Sequence, residues 1–189
     1  EKCFLITLRD KMEIIKTRLN DCLILKPLIF SDNRGFFMET FSQLKYEKIL
    51  NIKDKFVQDN FSSSKNKVLR GLHLQRKNPQ GKLVQVLHGE VFDVAVDLRT
   101  NSETFGRWEG VILSSNNKKQ FWIPPGFAHG FVVISDQAYF HYKCTDYYKP
   151  DDESCILWND PSISIDWPIN NPIVSEKDQG GITLQEFMK

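Results

Sequence analysis

The sequence predicts a mainly β protein, a sandwich or barrel with a few short helices, and three observations carry that expectation. Between residues 56 and 148, short apolar-rich segments follow one another, separated by turns bearing Gly, Pro and Asn. Within them side chains alternate with a period of two. At 91–98, for example, Phe92, Val94, Val96 and Leu98 share one face, and Asp93 and Asp97 the other. Helix-start spacing stands at two places near the ends of this run, after Ser42 and at Thr183.

Taken in order, residues 14–19 and 22–29 read as strands joined by the turn pair Asn20-Asp21. Residues 31–35 are a loop in which Gly35 supplies the freedom for a tight reversal. A short buried strand is expected at 36–41. Ser42 then caps a helix reaching Leu50, with Leu44, Ile49 and Leu50 on its apolar side and 51–55 ending it. Strands follow at 56–61 and 68–75, with a polar loop at 77–81. Segments 83–87 and 91–98 flank His88-Gly89-Glu90, expected as a tight hairpin. Strands at 108–113, 119–123, 131–134 and 138–148 continue the pattern. After Pro150 it gives way to an irregular stretch punctuated by Asp160-Pro161, Trp167-Pro168 and Asn171-Pro172. Thr183 and Glu186 have the spacing of a capping box for a short last helix.

A chain of 189 residues fits one domain with a substantial core. The 25 basic and 24 acidic residues nearly cancel, so nothing draws the whole chain to nucleic acid or an anionic membrane, and any anion site is local. No apolar run approaches the ~20 residues that span a bilayer. Cys3, Cys22, Cys144 and Cys155 have no C-x-x-C spacing, which points to a reducing cytoplasm. Met12 opens M-E-I-I-K-T, a stretch that reads as a natural start. Residues 1–11 are therefore expected to be upstream or appended sequence, and 12–189 a single domain.

Chemistry concentrates at V-L-R-G-L-H-L-Q, residues 68–75. His73 stands two positions after Gly71, with Arg70 before it and Lys82 opening the next strand. A lone strand histidine is ordinarily a satisfied core residue. Two cations beside one imidazole have no use in an apolar core and favour a functional role. Imidazole accepts protons near neutral pH. The second signal is P-P-G-F-A-H at 124–129, which resembles the second motif of cupins, small double-stranded β-barrels that commonly hold a metal. In metal-binding cupins the first motif carries two histidines and a glutamate follows. Here Gln75 replaces the second histidine and Lys82 sits downstream, a poor cage for a divalent ion. The expectation is a cupin jelly-roll barrel used for acid–base work, with no metal and no cofactor.

Further segments carry a closer resemblance: R-G-F-F-M-E at 34–39, F-V-Q-D-N at 56–60, V-L-R-G-L-H at 68–73, G-K-L-V at 81–84, and G-E-V-F-D-V-A-V-D-L-R at 89–99. W-I-P-P-G-F-A-H-G-F at 122–131, Y-K-C-T-D-Y-Y at 142–148, W-N-D-P at 158–161 and S-E-K-D at 175–178 complete the set. Together they resemble, from Met12 onward, the dTDP-4-dehydrorhamnose 3,5-epimerases, metal-independent cupins acting on a nucleotide-linked 4-keto-6-deoxy sugar.

The resemblance implies His73 as general base, Asp178 as its orienting carboxylate, Tyr142 as general acid and Lys82 as the cation stabilising an enolate. An aspartate on one ring nitrogen fixes the tautomer and supports the imidazolium, and a neutral phenol can protonate the opposite ring face. Preorganised charge at the enolate oxygen is usually the largest catalytic contribution. Tyr142 also reads as a barrel-lining aromatic, in phase with Phe140 and Cys144. The resemblance further implies that Gln58, Asn60, Arg70, His129, Glu153 and Lys177 contact a nucleotide-diphosphate sugar. Arg34 and Glu39 match nucleotide contacts from a partner subunit, which implies a homodimer with sites completed across the interface. Phe61 and Leu74 stand where many members have His and Tyr, and Gln85 where Arg is frequent. His88 and His141 are expected at the surface. The readings left open are a one-centre epimerase or 3,4-ketoisomerase, and a non-catalytic cupin that binds nucleotide sugars. The retained Tyr142 favours the two-centre enzyme, and the complete set His73, Lys82, Tyr142 and Asp178 disfavours a mere binder.

Overall fold

The structure, a computed structural model, describes residues 12–53 and 55–189; the segment 1–11, expected to be upstream sequence, lies outside the described residues. The chain begins with β1 (Glu13–Lys16), β2 (Leu23–Lys26), β3 (Phe30–Asp32), β4 (Gly35–Phe37) and α1 (Gln43–Leu50). The central run is β5 (Gln58–Lys65), β6 (Val68–Gln75), β7 (Lys82–His88), β8 (Glu90–Asp97), β9 (Trp108–Ser114), β10 (Gln120–Ile123), β11 (Phe127–Val133) and β12 (Gln137–Cys144). A 3-10 turn at Pro150–Asp152 leads into β13 (Glu153–Cys155), β14 (Ile173–Val174), α2 (Glu176–Gln179) and α3 (Leu184–Phe187).

Two sheets make the cupin-type barrel. The front sheet has the order β1-β2-β10-β7-β12-β5 and the back sheet β13-β6-β11-β8-β9, with β14 beside β6. From β5 to β8, and again from β10 to β12, each successive strand changes sheet. The segment His88-Gly89-Glu90 is therefore a crossing between sheets and not the expected hairpin. Gly89 still has the backbone freedom a corner demands, at φ +74°.

Val84, Val86, Val91, Ala95, Phe121, Phe131 and Phe140 fill the space between the sheets. On the outer side of the back sheet, Leu72, Leu74, Val94, Val96 and Leu98 pack against Ile156, Leu184 and Phe187. Leu25, Leu83 and Trp122 pack under Tyr46 and Leu50 of α1. Strands covered on both faces read as apolar runs, as β10 and β11 do.

Three expectations fail near the N-terminus. Residues 31–35 form the end of a β3–β4 hairpin, paired Phe30↔Phe37 and Asp32↔Gly35. Phe36 and Phe37 are exposed instead of lying in a buried strand, because that hairpin pairs only with itself. Leu44 is 81% exposed. Tyr46 and Leu50, one helical turn apart, form the inward stripe, and Leu44 lies roughly 200° round the helix from Tyr46. Ser42 is the N-cap residue, although its side chain makes no capping bond. The capping box at Thr183 and Glu186 is present as expected.

Candidate active site

A cavity of about 310 Å³ opens between the sheets, and Asn60, Arg70, His73, Lys82, His129, Tyr142 and Glu153 help to line it. Register explains the gathering. In the back sheet His73 on β6 stands opposite His129 on β11 and opposite Cys155 on β13. In the front sheet Tyr142 on β12 stands opposite Asn60 on β5, and Cys144 opposite Lys82 on β7. His73 and Tyr142 thus come from different sheets, on either side of the space between them.

Gly71 allows the back sheet its shape at this point. A Cβ there would lie 2.5 Å from Gly130 Cα and 2.7 Å from the His129 carbonyl oxygen, so only glycine permits this approach of β6 to β11. The Gly71 N–H donates to Asp178 Oδ2 at 3.1 Å. Asp178 is delivered by α2, where Ser175 Oγ accepts the Asp178 N–H at 3.2 Å. Immediately before it, β14 runs parallel to β6 and holds that segment against the sheet.

His73 Nε2 lies 2.7 Å from Asp178 Oδ1. Burial would raise the Asp178 pKa, but the hydrogen bond and charge of His73, the Gly71 N–H and Lys177 outweigh it and hold the carboxyl below its ordinary value. An ionised carboxylate only accepts, so Nε2 carries the proton and Nδ1 keeps a lone pair. Lys82 is buried, and its Nζ donates to the His73 carbonyl at 3.2 Å; burial pulls its pKa down. Burial also pushes the Tyr142 phenol up to about 12, so it is a neutral proton donor. Its hydroxyl has no hydrogen-bond partner among the described residues.

The surrounding polar groups are tied down. Arg70 Nε donates to Ser64 Oγ at 3.0 Å. Gln58 Nε2 donates to Asn60 Oδ1 at 2.9 Å, placing Gln58 behind Asn60. Glu153 accepts from Lys177 and, at 2.8 Å, from the Tyr148 hydroxyl. Arg34 and Glu39 are not brought to this cavity. Arg34, at the β3–β4 turn, bonds Asp32 Oδ2 at 2.5 Å, and Glu39 accepts from Lys45 at 2.8 Å.

Sequence reasoning missed Asp93 as a site residue. It is fully buried, and its carboxylate lies 2.9 Å from His129 Nε2. Burial raises the Asp93 pKa and lowers that of His129. The signal was present as an acid inside the apolar run D-V-A-V-D. Tyr148, which also lines the cavity, was missed as well, since it does not stand out by spacing. His88 is exposed as expected, but His141 is half-buried, with Nδ1 3.1 Å from Gln85 Nε2 and its pKa lowered by burial.

The donor set does not suit a cupin metal. Gln75 Nε2 donates to the Asn78 carbonyl at 2.7 Å, and Gln75 Oε1 accepts the Lys149 N–H at 2.7 Å. His129 Nε2 is engaged by Asp93, and Lys82 brings a positive charge.

The family described as dTDP-4-dehydrorhamnose 3,5-epimerase matches residues 16–186. The chain belongs to the dTDP-4-dehydrorhamnose 3,5-epimerase family. The Escherichia coli (strain K12) protein of that name is 54% identical over 180 residues, covering 94% of this chain and 97% of the relative. The Legionella pneumophila epimerase, solved in complex with dTDP-4-keto-L-rhamnose, is 56% identical with a TM-score of 0.90, covering 93% of this chain and 94% of that one. A Streptomyces bikiniensis 3'-monoepimerase solved with dTDP-quinovose is 29% identical with a TM-score of 0.83, covering 89% and 86%. Membership of the epimerase family makes the chain an isomerase. Among the described residues no helix is long and apolar enough to cross a membrane.

Proposed function

We propose that this chain converts dTDP-4-dehydro-6-deoxy-D-glucose to dTDP-4-dehydro-L-rhamnose by inverting carbons 3 and 5, with His73, Asp178, Lys82 and Tyr142 as its machinery. The observation that carries the assignment is the placement of His73 and Tyr142 on opposing sheets of one cavity, within a chain of this family. His73 Nδ1 removes the proton beside the C4 ketone, and the C–H electron pair moves into an enolate. Lys82 stabilises the enolate oxygen. Tyr142 protonates the carbon from the other side, inverting it, and solvent restores both groups. The Asp178 carboxylate supports the imidazolium formed between these events.

Asn60, Arg70, His129, Glu153, Gln58 and Lys177 hold the nucleotide sugar, Arg70 being suited to the diphosphate. Arg34 and Glu39 serve the cavity of a second subunit, so the working unit is a homodimer and residues 12–189 form its catalytic domain. The free thiols of Cys22, Cys144 and Cys155 suit a reducing cytoplasm. Catalysis needs no metal: activity is expected to survive chelation and dialysis in full. Loss of activity on metal removal, restored by one particular ion, would reject that part.

Proton NMR of the 4-keto sugar in deuterated water tests the whole reading. Solvent deuterium is expected at both carbon 3 and carbon 5 of the inverted product. Exchange at carbon 3 alone would assign a one-centre epimerase, and none at either carbon would leave only a binding protein.

A further inference from the structure

We propose that His73, Cys155 and Asp178 form a capture site for a soft divalent cation, Zn²⁺ being the type, on the side of the imidazole away from the reacting lone pair. One ring nitrogen of His73, Cys155 Sγ and one carboxylate oxygen of Asp178 all lie within 4.8 Å of one another. Cys155 Sγ is 3.9 Å from Asp178 Oδ1, and that same oxygen is 2.7 Å from His73 Nε2. Strand register causes the cluster, because Cys155 on β13 is the direct partner of His73 on β6. Tetrahedral zinc, with bonds of about 2.0 Å to N or O and about 2.3 Å to S, needs donors roughly 3.3–3.6 Å apart. Shifts on the order of 1 Å satisfy that spacing. Asp178 is held by the Gly71 N–H, whereas Cys155 and His73 are only half-buried and can adjust.

The consequence follows from tautomers and rests on the reading of His73 as the base. In the working enzyme Nε2 carries the proton and Nδ1 the lone pair. A cation on Nε2 takes a lone pair there, so the ring proton moves to Nδ1 and the Cys155 thiol releases its proton to solvent. The imidazole can then no longer accept a proton from the sugar. The cavity itself stays open, so inhibition lowers kcat without competing with the nucleotide sugar. The site shares His73 with the cupin metal position but completes its donor set with Cys155 and Asp178, neither of which lines the cavity.

The test pairs a spectroscopic readout with kinetics, on the full chain and on Cys155→Ser, whose thiol has no role in the proposed reaction. Titration with Co²⁺ is expected to give a thiolate-to-cobalt charge-transfer band that Cys155→Ser lacks. Zn²⁺ is expected to inhibit the unsubstituted enzyme reversibly and non-competitively. Half-inhibition of Cys155→Ser should need at least about 100-fold more metal, since a lost ligand costs no less than a lost supporting contact. A chelator restores activity. Absence of the band, or equal inhibition of both proteins, overturns the site. A band dependent on Cys155 with undiminished turnover overturns instead the assignment of His73 as base, and with it the inhibitory consequence.

Discussion

His73 has one nitrogen committed to Asp178 and one lone pair free to accept, and Tyr142 is a phenol with its proton held on by burial. Deleting each should therefore fail differently. In His73→Asn both deuterium exchange and inversion should fall by a factor on the order of 10²–10⁴, the usual contribution of a positioned base. In Tyr142→Phe the base and Lys82 remain, so exchange continues from the His73 side while inversion nearly stops. Asp178→Asn should resemble His73→Asn in milder form, because tautomer control is lost and the imidazole is not. Unchanged exchange in His73→Asn would place the base elsewhere. These residues were legible because each sits in a compact motif. Asp93 and Cys155 were not, because the histidines they meet, His129 diagonally across β8 and β11 and His73 directly across β13 and β6, are distant in sequence and adjoin them only once the strands pair. Register depends on where a strand begins, and sequence alone leaves β11 four residues short at its start: the expectation was 131–134, against Phe127–Val133.

At the scale of elements, β6, β7 and β8 were located to within a residue or so, because each is a short apolar-rich segment bounded by turn residues. It could not say which strands pair. The corner at Gly89 and a hairpin ask for the same residue types, and the choice is made by what each strand covers. The close passage of β6 and β11 supplies a stability prediction. In Gly71→Ala the new methyl meets Gly130 Cα at 2.5 Å, on a backbone with φ +122°. Overpacking and an unfavourable backbone together should cost ~3 kcal/mol, a melting temperature lower by roughly 6–12 °C. A melting temperature within a degree of the parent would mean that the strands can separate freely. The end of β8 supplies another. Burial would raise the Asp97 pKa, but bonds from Arg99, Ser102 and Thr104 hold it down to about 2, against an ordinary 3.8. A depressed folded-state pKa contributes stability above pH ~4, and that contribution is lost as pH falls toward 2. Its size is about 1–2 kcal/mol, allowing for solvent screening of the partly exposed Arg99. Urea unfolding across that pH range should show the Asp97→Asn variant losing less stability on acidification than its parent. Parallel losses would remove Asp97 from the account of acid sensitivity.

Over the whole molecule, a single chain leaves two things unfinished. Phe30, Phe36 and Phe37 stand exposed on and beside the β3–β4 hairpin, with Phe37 at 70%. On the same stretch Arg34 and Glu39, among the described residues, make only local ion pairs and do not line the cavity. The proposed homodimer would resolve both, covering the aromatics and lending the two charged side chains to the neighbouring cavity. Subunit complementation distinguishes this from a dimer whose sites are independent. Arg34→Ala keeps His73 but should bind nucleotide sugar weakly, and His73→Asn keeps Arg34 but has no base. Neither should turn over appreciable substrate at low concentration. In a mixed dimer, one cavity combines His73 of the first variant with Arg34 of the second and is complete, while the other lacks both. After random reassortment of equal amounts, half the dimers are mixed and half their cavities complete, so about a quarter of parental activity should return. If Arg34 served its own subunit's cavity, every site in the mixture would lack one residue and mixing would restore nothing. Recovery near a quarter after partial unfolding and refolding together, with none on simple mixing of stable dimers, would locate the site across the interface.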